Sequence, residues 1–372
     1  MRLVYLTSKT FPSSKVEPFM IKSLANAFFE HLGNDFTLFI RGSIPQEFAR
    51  LNVLSAKVPN RLKSISYFLL LPIFIFRNNW SRDDVVFFSS DPYILAALIF
   101  WRKMFSFKYL ICTECHQLFE NWTDKYVLLN SDRIISTSEK LKKLLVSTCQ
   151  VSPDKIAVPY GGVDISIFDK KQEKSKEDYK KILGLPLDRF IVGYAGAFKA
   201  MHYLEKGIGT MIKSLPKVDK SIIMVFVGGT REEIEEYAHL AKECQVEDRC
   251  IFVEKQPFEK LVEYELALDV IVIPNPASST YYTDYAFPFK IWEYLCSGTP
   301  IIYSNLEIID EVLRDRGASF IPENPDSLAE SIIAVRKNFE FEEKKANLNS
   351  GIVRSLYTWN ARAKKIIDFI KN

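Results

Sequence analysis

Short apolar runs alternate along the whole chain with longer amphipathic segments. Runs that are apolar on both faces are typical of parallel strands covered by helices. In the first half they occupy residues 2–7, 36–41, 85–89, 108–112, 133–136 and 156–159. In the second half they occupy residues 190–195, 222–227, 250–253, 270–274, 300–304 and 318–321. The spacing predicts an α/β fold built from two similar halves.

A stretch of dense mixed charge, residues 169–181, separates the two halves. Such a stretch can bury little apolar surface, so it predicts a solvated hinge or the start of an exposed helix. We therefore predict an N-terminal domain over residues 1–170 and a C-terminal domain that begins at residue 171. The cleft between two such domains is the expected ligand site.

Composition supports a compact protein, since 48% of the 372 residues are hydrophobic and 13% are aromatic. The N-terminus runs directly into a strand pattern without the features of a signal peptide, and the six cysteines form no disulfide-like pattern. These features predict a cytoplasmic protein with reduced thiols.

Residues 286–304 predict a loop, a short helix and a buried strand. Pro288 suits a helix start and Gly298 a helix end. Lys290 and Glu293 fall on one side of that helix, opposite an apolar side that contains Trp292. Two interpretations stay open from the residues alone: an ordinary surface ion pair, or a pair of charges that faces a ligand.

Other motifs narrow the chemistry. Residues 112–116 match the spacing of haem attachment, but they end a buried-strand pattern, so we reject that interpretation. His116 follows the strand directly, where open α/β sheets bind ligands, and it is either a pocket residue or a structural histidine. The chain has no dinucleotide or Walker glycine motif and no Asp-x-Asp. A bound diphosphate would then need protein cations such as Lys206, which opens a predicted helix.

Two apolar segments, residues 65–76 and 94–101, are too short to cross a bilayer. Residues 48–82 contain six basic residues and no acidic one. That combination predicts either a surface that contacts anionic lipid or core helices with solvated ends.

The second half contains five motifs: Ile191-Val-Gly-Tyr-Ala-Gly196, Glu205-Lys-Gly207, Met224-Val-Phe-Val-Gly-Gly229, Leu268-Asp-Val-Ile-Val-Ile-Pro274, and a Phe-Pro-x-Lys-x-x-Glu-Tyr-x-x-x-Gly-x-Pro block at residues 287–300. With Asp132-Arg-Ile-Ile-Ser-Thr-Ser138, Tyr160-Gly-Gly-Val-Asp164 and Tyr357-Thr-Trp359, the chain resembles the retaining glycosyltransferases of family 4 over nearly its whole length. The resemblance implies the GT-B architecture: two Rossmann-like domains facing a central cleft, over residues 1–170 and 171–356, with a helix at 357–372 that crosses back to the first.

The same resemblance implies roles for individual residues. His116, approaching from the first domain, and Lys206, neutralising a diphosphate, are the expected catalytic residues. Glu293 is expected to bind the ribose hydroxyls of the donor, and the backbone of residues 286–289 to face the transferred sugar. The expected donor-binding residues are Glu293, Lys290, Lys199, Ala286, Phe287, Pro288, Phe289, Tyr285, Gly196 and Gln256.

Two positions depart from the family pattern. Tyr285 stands where the family has the first glutamate of its Glu-x7-Glu motif, which affects sugar recognition. Ala197 stands where the family usually has a phosphate-binding arginine, and Lys199 or Lys290 is the expected substitute.

The resulting hypothesis is sugar transfer with retention from a nucleotide diphosphate donor of the UDP or GDP type, without a metal or other cofactor. The expected acceptor is a glycan or a lipid-linked glycan, with residues 48–82 on an anionic membrane surface and no nucleic acid bound. Two alternatives stay open: a catalytically degenerate relative that binds a nucleotide sugar or a partner, and a nucleotide-sugar epimerase.

Overall fold

The computed structural model describes residues 1–11, 16–56, 63–118, 121–171, 173–200 and 203–372. Contacts divide the chain into two compact units. The first unit combines Met1–Gly162 with Thr358–Asn372, and the second is Val163–Tyr357.

Parallel strands form the sheet of the first unit in the order β3-β2-β1-β4-β5-β6-β7. The strands are β1 (Arg2–Leu6), β2 (Phe36–Arg41), β3 (Val53–Ala56), β4 (Val85–Ser89), β5 (Leu110–Cys115), β6 (Arg133–Ser136) and β7 (Ile156–Ala157). The helices are α1 (Val16–Leu32), α2 (Lys63–Arg77), α3 (Pro92–Phe105), α4 (Trp122–Asn130) and α5 (Glu139–Cys149). Strand order reverses beside β1, as in Rossmann-like folds.

The second unit repeats the plan with a parallel sheet in the order β12-β11-β8-β13-β14-β15. Its elements begin with α6 (Ile165–Asp169), α7 (Lys176–Ile182), β8 (Phe190–Ala195), the hairpin strands β9 (Lys199–Ala200) and β10 (Leu204–Glu205), α8 (Ile208–Ser214), β11 (Ile222–Gly229) and α9 (Arg231–Glu243). They continue with β12 (Cys250–Glu254), α10 (Phe258–Ala267), β13 (Val270–Ile273), a π-helical turn (Tyr281–Tyr285), α11 (Lys290–Ser297), β14 (Ile301–Ser304), α12 (Glu307–Leu313), β15 (Ala318–Phe320), α13 (Pro325–Lys337) and α14 (Phe339–Leu356).

The predicted two-sheet α/β fold is confirmed, and each predicted strand has a counterpart within a few residues. Strand β3 was missed, since its residues are only partly buried apart from Ala56. Such an edge strand lacks the apolar run that marks a central one.

Of the two interpretations of the charged stretch 169–181, the structure agrees with the helix start, because α7 begins at Lys176 and most of its residues are exposed. Tyr179 and Lys180 are the buried exceptions. Ser175 and Asp178 form a capping box that starts α7. Lys180 is buried and lies 2.8 Å from Asp269, the residue that precedes β13. The segment therefore packs against the second sheet, because a buried ion pair compensates the charge that its composition seemed to keep in water.

The last helix, α15 (Trp359–Lys371), belongs to the first unit although it follows the whole of the second in sequence. It packs along α1 through a row of buried residues that includes Ala363, Ile366 and Ile370. The end of the chain thus completes the unit that its beginning starts.

A hydrogen bond joins α2 and α3 at a carbonyl that a proline leaves without its usual donor. Pro72 lies inside α2 and has no N–H, so the helix cannot satisfy the carbonyl of Phe68 from its own backbone. The indole N–H of Trp101 on α3 donates to that carbonyl at 2.7 Å. The proline therefore fixes α3 against α2 at this point.

We predict that Trp101→Phe destabilises the first unit, because the Phe68 carbonyl loses its donor. The expected cost is about 1–2 kcal/mol, or about 2–6 °C in Tm, measured by thermal unfolding. In a Pro72→Ala background the backbone N–H returns, so the same substitution should cost less. Equal losses in both backgrounds would contradict this account.

Candidate functional site

The candidate site of the second unit lies at the carboxyl end of its sheet, where β8 and β13 are neighbours. The order β12-β11-β8-β13 reverses the direction of chain progression at this pair. Open α/β sheets bind ligands at such a reversal, because the loops that leave the two strands part there. Gly196 follows β8, and α11 follows the loop after β13.

Lys290, in the first turn of α11, reaches back to the end of β8. Its Nζ donates to the Tyr194 hydroxyl at 2.8 Å and to the Ala195 carbonyl at 3.1 Å. It also lies 3.9 Å from the centre of the Tyr194 ring. The hydroxyl of Tyr294 donates to the same Ala195 carbonyl at 2.5 Å. These contacts fasten α11 to the central strand of the sheet.

Glycines make this close approach feasible. A Cβ on Gly196, which has φ +138°, would lie 2.5 Å from Nζ of Lys290. A Cβ on Gly228, which has φ +118°, would lie 2.4 Å from the Gly196 carbonyl oxygen. The predicted site residue Gly196 is thus required where backbone and ammonium group meet.

Lys206 reaches the same region through another glycine. Gly207 has φ +87°, and a Cβ there would lie 1.8 Å from the carbonyl oxygen of Pro274, just after β13. The loop that carries Lys206 is therefore pressed onto the end of β13. Burial lowers the pKa of Lys290 well below its ordinary value, and the charge of Lys206 lowers it further. The structure thus brings the two predicted lysines close enough for their charges to interact.

Glu293 lies one turn along α11 and is partly exposed. Burial raises its pKa to about 7, against the attraction of Lys290. Lys290 does not point outward as in the ordinary surface ion pair that the sequence left open, since its Nζ donates to Tyr194 and Ala195 at the end of β8. The charges of Glu293 and Lys206 both act on this lysine.

Sequence reasoning missed Glu265 on α10. Its side chain is completely buried, and neither carboxylate oxygen has a hydrogen-bond partner among the described residues. Burial raises its pKa well above the ordinary value, the charge of Glu293 raises it further, and Lys290 opposes both. Nothing in its local pattern separates it from the exposed glutamates of α10, so only tertiary packing identifies it.

The loop before α11 is anchored by aromatic side chains. The Phe287 ring is buried and lies 6.1 Å from Trp292, which stacks on Tyr357 at 4.6 Å. The amide of Ala286 donates to the carbonyl of Tyr281 at 2.7 Å, and that of Phe287 to Tyr285 at 2.9 Å. Pro288 has no N–H. Much of the amide capacity that the resemblance assigns to residues 286–289 is therefore used within the loop.

The remaining predicted residues of this unit lie in loops, helix ends and a short hairpin that follow the strands of its sheet. Tyr285 ends the π-helical turn, and Phe289 caps α11. Gln256 follows β12, and its side-chain amide donates to the Glu254 carbonyl at 3.1 Å. Lys199 pairs with Glu236 of α9 at 2.6 Å, so its charge is already compensated.

His116 lies in the first unit, directly after β5. Its Nε2 is 3.5 Å from a carboxylate oxygen of buried Glu114, and its side chain is 38% exposed. Arg362 of α15 donates to the other oxygen of Glu114 at 2.9 Å. Burial alone would raise the pKa of Glu114, but His116 and Arg362 together lower it to about 2. An ionised Glu114 thus lies beside His116, and Arg362 of α15 stabilises its negative charge.

The motif that resembles haem attachment is closed to such a role. Cys112 and Cys115 are both buried, and all six cysteines are free. Burial raises the pKa of the Cys112 thiol, which leaves it a protonated core residue.

We predict that Glu265→Met stabilises the second unit, and more at pH 8 than at pH 5. The pKa of Glu265 is raised in the folded state. Its contribution to the free energy of unfolding is therefore complete only at pH values below its pKa in the unfolded chain. Stability then falls by about 1.4 kcal/mol per pH unit until the native carboxyl ionises. Thermal unfolding at both pH values measures this, with Glu259→Met, exposed on the same helix, as the control. A gain that is equal at both pH values would contradict the buried carboxyl's role.

Comparison with known families assigns a class to both halves of the chain. Residues 175–350 match the family model described as glycosyl transferases group 1. Residues 20–167 match the model described as glycosyltransferase family 4. The two matches together cover most of the chain, one in each unit.

Proteins with similar sequences are also described as glycosyltransferases. An uncharacterized glycosyltransferase of Methanocaldococcus jannaschii is 25% identical over 250 residues, which are 65% of this chain and 60% of that protein. A D-inositol 3-phosphate glycosyltransferase of Thermomonospora curvata is 23% identical over 257 residues, 66% of this chain and 58% of its own length. The alignments thus span about three fifths of these relatives.

Solved structures match the fold over the whole chain. A glycosyltransferase of Rickettsia africae has a TM-score of 0.77 at 16% identity and covers 100% of this chain and 99% of its own. HepE of Anabaena, solved with UDP and glucose, has a TM-score of 0.73 at 14% identity with the same coverage. The fold is therefore the GT-B fold of these enzymes. Together the models, relatives and fold support a group 1 glycosyltransferase, and hence a transferase enzyme.

Proposed function

We propose that the protein transfers a sugar from a nucleotide diphosphate sugar to an acceptor hydroxyl, with retention at the anomeric carbon and without a metal. The observation that carries the proposal is the convergence of Lys206, Lys290 and Glu293 at the sheet edge beside Gly196. Two cations suit a diphosphate, and a carboxylate suits the paired hydroxyls of a ribose. Support comes from HepE, which shares the fold and was solved with UDP and with UDP-glucose.

The proposed chemistry assigns a role to each group. The bond between the anomeric carbon and the diphosphate oxygen breaks, and the electron pair leaves with the diphosphate. The acceptor hydroxyl adds to the same face of the sugar, and its proton passes to the departing phosphate oxygen. Lys206 and Lys290 stabilise the charge that grows on the diphosphate. Within the first unit Glu114 orients His116, whose catalytic role stays a prediction.

Burial favours the neutral form of both lysines, and this makes them responsive to the donor. A diphosphate placed against them favours their protonated forms, so part of its charge is compensated only when it binds. Bulk water, by contrast, has no fixed groups that compensate the charge of the diphosphate. The site is then preorganised for an anion rather than permanently charged.

The acceptor in this proposal is a glycan or a lipid-linked glycan at the cytoplasmic side of a membrane. One of the structures with the same fold is WaaG, a glycosyltransferase involved in lipopolysaccharide biosynthesis. Among the described residues, no helix combines the length and the apolarity needed to span a bilayer. The basic segment 48–82 falls partly outside the described residues, since 57–62 are not among them.

Glu293→Gln should weaken donor binding by about tenfold to a hundredfold, because a charged acceptor of ribose hydroxyls becomes neutral. Isothermal titration with a nucleotide sugar measures this, with Glu243→Gln, exposed on α9, as the control. The ratio of donor affinities, unmodified protein over variant, should rise with pH through about 7, where the Glu293 carboxyl loses its proton. Protonation of Lys206 and Lys290 on donor binding acts in both proteins, so the ratio isolates Glu293. A variant with unchanged affinity and pH profile would exclude the ribose role.

Lys206→Met should lower kcat by about a hundredfold to a thousandfold, since it removes a cation that stabilises the leaving group. Lys213→Met, exposed on the neighbouring helix α8, keeps the same change in net charge and serves as the control. Steady-state rates with saturating donor compare the two. Equal rates for both variants would remove Lys206 from the chemistry.

A donor panel distinguishes the proposal from its alternatives. A transferase releases nucleotide diphosphate in the presence of an acceptor, and a degenerate relative with Tyr285 and Ala197 in place of the family residues binds donor but releases none. An epimerase changes the donor sugar without any acceptor. Product analysis by mass spectrometry and chromatography separates the three outcomes.

A further inference from the structure

Helix α2 is apolar around its whole circumference. On the inner side Tyr67, Leu71 and Ile75 are at most 1% exposed and belong to the core of the first unit. On the outer side four large residues are between 52% and 59% exposed: Ile65, Leu69, Ile73 and Phe76. A helix that is apolar on all sides is normally covered on all sides. The outer row therefore indicates a covering that the chain's own core does not supply.

Helix α3 and the start of α4 continue this surface. Tyr93, Phe100, Met104 and Phe105 on α3 are between 39% and 58% exposed, and Trp122 on α4 is 76% exposed. The rings of Phe76 and Phe105 are 5.5 Å apart, which joins the two helices into one surface. We call these nine residues the apolar face: Ile65, Leu69, Ile73, Phe76, Tyr93, Phe100, Met104, Phe105 and Trp122.

A groove crosses the apolar face at one end. It has a volume of about 400 Å³, and its lining includes Ile65, Phe68, Phe100, Trp122 and Tyr126. Its walls come from all three helices, and the Trp122 and Tyr126 rings stack at 5.2 Å on one side. An aliphatic chain fits such walls, which offer large apolar surfaces and few polar groups.

The charged residues of α2 and α3 are all basic. Among those whose side chains the structure describes, Arg102 pairs with Asp132, which leaves Arg77 and Lys103. The ammonium group of Lys103 lies 5.2 Å from the centre of the Tyr126 ring, beside the groove. The neighbouring acid Asp124 is buried, and Asp91 caps α3 and accepts from Ser8. A negatively charged partner is therefore favoured over a positively charged one.

The size of the apolar face is beyond what a monomer usually leaves in water. Nine large side chains, most of them about half exposed, present on the order of 800 Å², whereas contiguous patches on monomers rarely exceed a few hundred. Exposed Tyr and Trp beside aliphatic rows and basic residues are the composition that settles at the boundary between lipid headgroups and acyl chains.

We propose that the apolar face rests on an anionic lipid bilayer, with the outer row of α2 at the level of the acyl chains. The groove holds a hydrocarbon chain of a lipid in that bilayer. This inference rests on the proposed function in one respect only: the hydrocarbon chain in the groove is assigned to the lipid-linked acceptor. Within the basic segment 48–82, it assigns the membrane contact to the outer row of α2, and it extends that contact onto α3 and α4.

The test uses the full chain and vesicles, with no sugar transfer involved. Cosedimentation with vesicles that contain anionic lipid should exceed that with neutral vesicles and should weaken as salt rises. The double variant Leu69→Glu, Ile73→Glu should bind at least about tenfold more weakly, because it places two charges where apolar groups insert. The pair Leu348→Glu, Ile352→Glu on α14, 72% and 43% exposed in the second unit, is the charge-matched control and should bind as the unmodified protein does.

Trp122 gives a second readout at the groove. Its fluorescence should shift to shorter wavelength on binding vesicles, and the shift should be absent from Trp122→Phe. Nucleotide binding by the double variant should persist, which separates loss of membrane contact from failure of the proposed site. The proposal is overturned if the double variant and the control bind vesicles equally. It is also overturned if sedimentation reveals a dimer that the double variant dissolves, since a second copy would then cover the face.

Discussion

The second unit depends on one crowded contact, in which the ammonium group of Lys290 meets the backbone at the end of β8. That contact needs Gly196 without a side chain, and Gly196 in turn needs Gly228 without one, because the added carbons would approach within 2.5 Å of their neighbours. The same contact orients α11 and therefore Glu293. A substitution at either glycine would thus disturb the fold and the candidate site together.

The buried surroundings of this site disfavour the charged forms of its ionisable residues. Burial favours the neutral form of Lys290, Glu293 and Glu265, and each charge partly offsets the cost of another. Such a group of residues lowers the stability of the empty protein, and functional sites commonly carry costs of this kind. The carboxyl of Glu265 is the clearest case, since it has no hydrogen-bond partner among the described residues.

The central strands could be predicted because a buried parallel strand needs apolar residues on both faces, and this leaves an unmistakable run in the sequence. Strand β3 and the burial of Lys180 in α7 could not, because their environment is set by partners distant in sequence, such as Asp269 for Lys180. The spacing of Lys290 and Glu293 placed them on one side of a short helix, and their roles stay predictions. Glu265 was not identified, since its burial follows from packing between helices and sheet. In the same way, the sequence of α2 is apolar throughout and cannot say which side the core covers.

The pairing of Arg362 with Glu114 has a consequence for synthesis. Strand β5 leaves the ribosome early, whereas Arg362 belongs to the last helix and emerges after the whole of the second unit. Until then the nascent first unit holds a carboxylate beside His116 without its buried counter-ion, and α1 lacks the helix that packs along it. The protein therefore cannot present a finished His116 before Arg362 is synthesised, and a stop codon between positions 358 and 362 would leave both sheets translated but Glu114 without Arg362.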